Sequence, residues 1–275
     1  MANRAQFYEQ MAARTAEQIT GSYQEWTAFL ATAARLYKYP YHEQLMIYAQ
    51  RPEATACAEY DFWNKRMRRY VRRGSRGIAL VDSSGEKPSL RYVFDVADTG
   101  GGDNARRPYL WQLQDEHMDT VLRALEARYE VSGANGLEYQ LELVADRLAK
   151  DYWEDHQRDI LGIIEDSFLE EYDDYNVGAS FRSAASTSIT YTLMARCGLD
   201  PEQYFGHEDF LSVFDWNTPA AVSALGTAVS EVSEQVLRHI EVTIKRYERE
   251  KITERSQNHG ERADLHTERG LSDPG

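Results

Sequence analysis

The chain has 275 residues, 42% hydrophobic and 12% aromatic, which is enough apolar material for a buried core and too much for a disordered polymer. No run approaches the roughly 20 apolar residues that cross a bilayer, and the first residues lack an apolar signal core. The net charge of −14 argues on average against a nucleic-acid partner, yet it is unevenly divided: residues 61–80 hold seven bases against one acid, residues 150–175 ten acids against two bases.

Residues 3–18 read as a helix with few apolar anchors. Ser22 with Glu25 three positions on forms a capping-box pattern, and Trp26, Phe29, Leu30, Ala33, Leu36 and Tyr37 follow on one helical face. Pro40 ends that helix or opens the next, over 41–50, with Leu45, Met46 and Tyr48 on its apolar side; Arg51-Pro52 stops it. A short helix over 60–67 carries Phe62 and Trp63. The period then shifts. Gly74 and Gly77 bracket a turn, residues 78–81 read as a strand, and Ser83-Ser84-Gly85 turns the chain. Residues 90–96 read as a second strand, with Tyr92, Phe94 and Val96 on one face and Arg91, Val93 and Asp95 on the other. The run Gly100-Gly101-Gly102-Asp103-Asn104 reads as a hinge.

Helices are expected near 115–130, 137–157, 158–171, 177–197 and 218–252. The last opens with Thr218 as N-cap and Pro219 at the first helical position, and carries a stripe from Val222 and Leu225 to Ile240 and Ile244. The pattern predicts an α+β fold: a small β-hairpin or sheet covered by helices in residues 1–110, an all-helical domain over 115–254, and a disordered tail or linker over 255–275. Cys57 and Cys197 are too few for a disulfide framework or zinc site and read as buried free thiols of a cytoplasmic protein.

The chemistry concentrates in residues 63–81. A single strand of nucleic acid offers phosphates along a groove with unstacked bases beside them, so cations interleaved with aromatic rings suit it. Arg72, Arg73 and Arg76 are expected to neutralise phosphates and Trp63 or Tyr92 to stack a base, with Lys65, Arg66, Arg68, Arg69, Tyr70 and Arg91 completing the surface. Gly74-Ser75-Arg76-Gly77 lets backbone approach closely, since glycine carries no Cβ. The competing reading is a basic face that pairs with the acidic stretch of the same chain.

Four segments in order resemble the N-terminal single-stranded-DNA-binding domain of ArdC-type antirestriction proteins. They are Tyr39-Pro40-Tyr41-His42-Glu43-Gln44-Leu45-Met46-Ile47, then Gln50-Arg51-Pro52-Glu53-Ala54-Thr55, then Trp63 with Tyr70-Val71-Arg72-Arg73-Gly74-Ser75-Arg76-Gly77-Ile78-Ala79-Leu80, and Arg91-Tyr92-Val93-Phe94-Asp95-Val96. The resemblance covers residues 26–99. It implies a sequence-tolerant, non-catalytic module at the front of a bacterial mobile-element protein, one that protects or presents DNA entering by conjugation, beside helicase or methylase domains. Such proteins also carry a metallopeptidase-like His-Glu-x-x-His helix. Here neither His42-Glu43 nor His207-Glu208 is followed by the second histidine, so no peptidase is implied.

No phosphate-binding Gly-x-x-x-x-Gly-Lys loop, dinucleotide turn or nucleophile elbow occurs, so no cofactor and no catalysis are expected. The acids Glu165, Asp166, Glu170, Glu171, Asp173 and Asp174 invite a metal-dependent nuclease reading, but neighbouring acids on a helix point apart and a solvated face is the plainer account. The alternative function is an acidic helical decoy whose carboxylates mimic DNA phosphates and bind a host defence or restriction protein.

Overall fold

The computed structural model describes residues 2–82 and 87–269, with side chains described over 4–82 and 87–253. In chain order the elements are α1 (Ala2–Ile19), α2 (Tyr23–Arg35), α3 (Tyr41–Gln50), β1 (Cys57–Glu59), β2 (Tyr70–Val71), β3 (Ile78–Asp82), β4 (Ser89–Asp95), β5 (Thr99–Gly100), α4 (Met118–Tyr129), α5 (Leu137–Leu161), α6 (Asp174–Cys197) and α7 (Pro219–Arg269). β4 lies between β1 and β3, antiparallel to both, and β2 pairs with β5 in a separate ribbon. The class is α+β with helices dominating. Among the described residues no helix is long and apolar enough to cross a membrane.

The helix signals act where the sequence put them. The Ser22 hydroxyl accepts from the Glu25 amide at 3.3 Å, and Thr218 Oγ1 accepts from the Ala221 amide at 3.2 Å. Each satisfies one of the orphan donors of a first turn. Pro40 is the N-cap of α3, and Arg51 ends it before Pro52. Along β4 the side chains alternate: Val93 is buried, while Tyr92 is exposed on the opposite face.

Two apolar clusters hold the molecule. The larger joins Trp26, Phe29 and Tyr41 to Phe181, Leu225 and Ile240, so the expected boundary at 110–115 does not coincide with a break in the core. Trp26 Nε1 donates to Ser188 Oγ at 2.9 Å, which satisfies the polar end of a fully buried indole that bridges α2 and α6. Gly226 lets α7 come close to α3, because a Cβ there would fall 2.2 Å from the Tyr41 ring. The smaller cluster, Leu36, Met46, Ile47, Ile78, Leu80 and Val93 among its members, seats the sheet on α3. At the edge of the sheet the Gln50 amide accepts from Ala79 N at 2.9 Å and donates to Ala79 O at 2.8 Å, so it substitutes for a neighbouring strand.

Several expectations are corrected. The helices placed at 137–157 and 158–171 are one unbroken α5 to Leu161, followed by a 3-10 turn over Phe168–Glu171; Asp166, in the left-handed region at φ +63°, interrupts the path between them. The short helix expected at 60–67 is present over residues 60–66, with π geometry in its Phe62–Arg66 part. Gly100 is buried and strand-paired with Tyr70 rather than a free hinge. α7 continues to Arg269, through residues 255–269 where a tail was expected, with no proline between Pro219 and Arg269 to break it. Cys57 is half-buried rather than buried, and both cysteines are free; burial pushes both thiols up to about 12. The Ser83-Ser84-Gly85 turn and residues 270–275 lie outside the described residues.

Glu241 of α7 clamps the end of α2. Its carboxylate accepts from Tyr37 OH at 2.6 Å and pairs with Lys38 at 2.7 Å and Lys245 at 2.6 Å. Burial alone would raise its pKa, but hydrogen bonds from Lys245, Lys38 and Tyr37 outweigh that and hold it at about 2. A folded-state pKa below the ordinary 4.5 means that the clamp contributes fully above that pH and is lost as pH falls toward about 2. Urea unfolding from neutral pH to pH of about 2.5 is therefore expected to show an acid-induced loss of stability that is smaller in Glu241→Gln by the share of this clamp. That variant is expected to be about 2 kcal/mol less stable at neutral pH.

Candidate nucleic-acid interface

The loops that carry the basic residues are fastened to the sheet through one buried carboxylate. Asp95, 2% exposed at the end of β4, accepts through Oδ2 from the amides of Thr55 at 2.7 Å and Ala56 at 3.0 Å, and through Oδ1 from Ala97 N at 2.8 Å. Asp98 Oδ2 accepts from Asp95 N at 3.3 Å and pairs with Arg51. The Gln50–Thr55 and Arg91–Val96 segments, forty residues apart, are thus one bonded unit.

The basic turn hangs from this unit. Arg72 N donates to Asp98 O at 2.8 Å and the Arg72 guanidinium to Ala97 O at 3.0 Å, while Ser75 N closes the turn on Arg72 O at 3.1 Å. Gly74 takes φ +90°, which an L side chain adopts only with strain. A Cβ at Gly77 would crowd Phe94 and Tyr92 at 3.2 Å, so glycine lets the chain cross these rings. Beside it, Tyr70 lies over Gly100 in the β2–β5 ribbon, and Arg106 N donates to Met67 O at 2.8 Å. Segments 66–77 and 98–107 therefore form one surface.

The structure divides the expected site residues. Arg66, Arg68, Arg73 and Arg76 are exposed, and none forms an ion pair among the described residues. Arg68 holds φ +54°, an unfavourable left-handed conformation for a side chain of this size. Arg72 is exposed but tied to Ala97 O, and Lys65 pairs with Asp61 at 2.6 Å in the open, where such a pair is weak. Tyr70 is 58% and Tyr92 40% exposed, so both offer a ring.

Three expected contacts are not available. Trp63 is 2% exposed and donates through Nε1 to Phe94 O at 2.9 Å, so it supports the sheet and cannot stack a base at the surface. Arg69 is turned inward, with Nε on Thr99 Oγ1 at 2.8 Å, where it pins the ribbon. Arg91 pairs with Glu43 of α3 and reaches Glu59 at 3.5 Å. Conversely, the fold adds exposed Arg106 and Arg107, and exposed Tyr60 and Phe62. The signal for the two arginines was their position after the glycine run; only the β2–β5 pairing places them beside Met67.

The acidic stretch does not neutralise this surface. Its ion pairs among the described residues are local, Asp151 with Arg147 and Glu154 with Lys150. Asp173 caps α6 by accepting from Asn176 N at 2.8 Å, and Glu170 accepts from Asp166 N at 3.0 Å. Among the described residues no three His, Cys, Asp or Glu side chains converge in a way that could hold a metal ion. No family model, curated protein or solved structure matches the chain.

Proposed function

We propose that this protein binds single-stranded DNA without sequence preference and without catalysis, through the loops 60–77 and 98–107. The observation that carries this reading is the group of exposed arginines, Arg66, Arg68, Arg73, Arg76, Arg106 and Arg107, left without acidic partners among the described residues despite the net charge of −14. Exposed Tyr60, Phe62, Tyr70 and Tyr92 lie among them. Phosphate neutralisation combined with sequence-tolerant stacking on rings is how such ligands are held. The motif resemblance to ArdC-type antirestriction proteins supports the same reading, and with it a cytoplasmic role as a mobile-element module that handles incoming DNA beside helicase or methylase domains.

Fluorescence-anisotropy titration of a labelled single-stranded oligonucleotide tests it. Binding at low salt is expected, with log Kd rising linearly with log salt by about 0.7 per phosphate contacted. Absence of binding even at low salt refutes the reading. A second reading, an acidic decoy for a host defence or restriction protein, draws on the acids of 150–175 and on exposed Phe168 and Tyr175 among them. It predicts no DNA binding, and a basic protein partner lost on Phe168→Ala/Tyr175→Ala substitution.

A further inference from the structure

A groove of about 250 Å³ opens where the β-module meets the helical body. Exposed Phe62 and Tyr109 supply its open aromatic walls, over a floor of buried Tyr37, Trp63 and Trp111 with half-buried Tyr39. Most of these rings are fixed by their polar ends. Tyr37 OH donates to Glu241 and accepts from Trp111 Nε1 at 3.0 Å, Tyr39 OH donates to Cys57 O at 2.7 Å, and Tyr109 OH donates to Glu248 at 3.0 Å. What they leave toward the groove is apolar surface that needs no rearrangement to receive a guest.

The cations inside the groove are already engaged. Arg35 donates to Ala54 O at 2.9 Å and to Pro52 O at 2.6 Å, Lys38 pairs with Glu241, and the Arg196 guanidinium stacks on Trp111 at 3.6 Å while donating to its carbonyl at 2.9 Å. The groove is therefore no anion site. The unpaired cations lie at its border: Arg66 and Arg68 flank the lining residue Met67, Arg107 precedes the lining residue Pro108, and Arg106 is bonded to Met67 through its amide. An apolar, ring-walled slot bordered by free arginines matches one nucleotide, with its base inside and its phosphates outside. The volume falls below the ~300 Å³ at which drug-sized ligand sites begin, and so suits a single planar base.

We infer that this groove takes one unstacked base of the bound strand, and that it fixes the register of the strand relative to the arginines. The inference rests on the single-stranded-DNA reading and adds a subsite to it. The test compares a natural single-stranded oligonucleotide with an abasic deoxyribose-phosphate strand of the same length, for wild type, Phe62→Ala/Tyr109→Ala and a control on exposed rings outside the proposed interface, Phe168→Ala/Tyr175→Ala. Phe62→Ala alone serves if the double variant melts early by circular dichroism. Wild type is expected to prefer the natural strand at least about tenfold, as stacking of a base on aromatic rings provides. The groove variants are expected to lower that preference at least about threefold, with the rest held by Tyr70 and Tyr92, without changing affinity for the abasic strand, and the control to keep the wild-type preference. Equal binding of both strands by wild type overturns the groove while leaving the arginine surface intact. So does a preference lost in the control and kept in the groove variants. Failure to bind either strand removes the parent reading and the groove with it.

Discussion

Reversing Arg73, Arg76 and Arg106 to glutamate together is expected to weaken binding of a single-stranded oligonucleotide at least about 100-fold at low salt, and to lower the salt-dependence slope by about 2. Each of these guanidiniums is exposed and free of an ion pair among the described residues, so its loss removes a phosphate contact without breaking an internal bond. Unchanged thermal unfolding of the variant would assign the effect to charge. The choice differs from the one the sequence suggests. Arg72 is left out because its guanidinium holds Ala97 O, and Arg69 because it holds Thr99; substituting either would confuse a structural loss with a lost contact. Binding within a few fold of wild type would move the site elsewhere.

The second large effect is structural. Asp95→Ala is expected to cost about 2–3 kcal/mol in urea unfolding, because it removes the shared acceptor of the partly buried amides of Thr55, Ala56 and Ala97. Asp95→Asn keeps one carbonyl acceptor and is expected to lose roughly half as much. Since Asp95 and Asp98 together carry the loop that anchors Arg72, a destabilised Asp95 variant should also bind DNA poorly with every surface arginine in place. An Asp95→Ala protein of wild-type stability would mean that these amides find other partners.

Much of the fold follows from signals that act locally. Ser22, Pro40, Arg51-Pro52 and Thr218 set helix ends through their own backbone chemistry, and the alternation on β4 follows from the period of a pleated strand. What stayed hidden depends on partners distant in sequence. An aromatic residue beside a run of arginines reads as a stacking platform, yet the Trp63 indole finds Phe94 O, 31 residues away, and is covered. Arg91 reads as a surface cation until Glu43, 48 residues away, comes to face it. β2 and β5 are two residues long, too short to leave a periodicity, and it is their pairing that brings Arg106 beside Met67. That one core spans the expected division stayed hidden for the same reason: the apolar face of α2 does not show that its partners lie on α3 and α6.

Which surface meets the strand can be read out by ultraviolet crosslinking. Wild-type protein would be irradiated with a bromodeoxyuridine-containing single strand, and the crosslinked peptides mapped by mass spectrometry. Adducts are expected within residues 60–77 and 98–111 and at Tyr92, on or beside exposed rings such as Phe62, Tyr70, Tyr92 and Tyr109. Adducts confined to the helices beyond residue 118, or none from a strand shown to be bound, would contradict it.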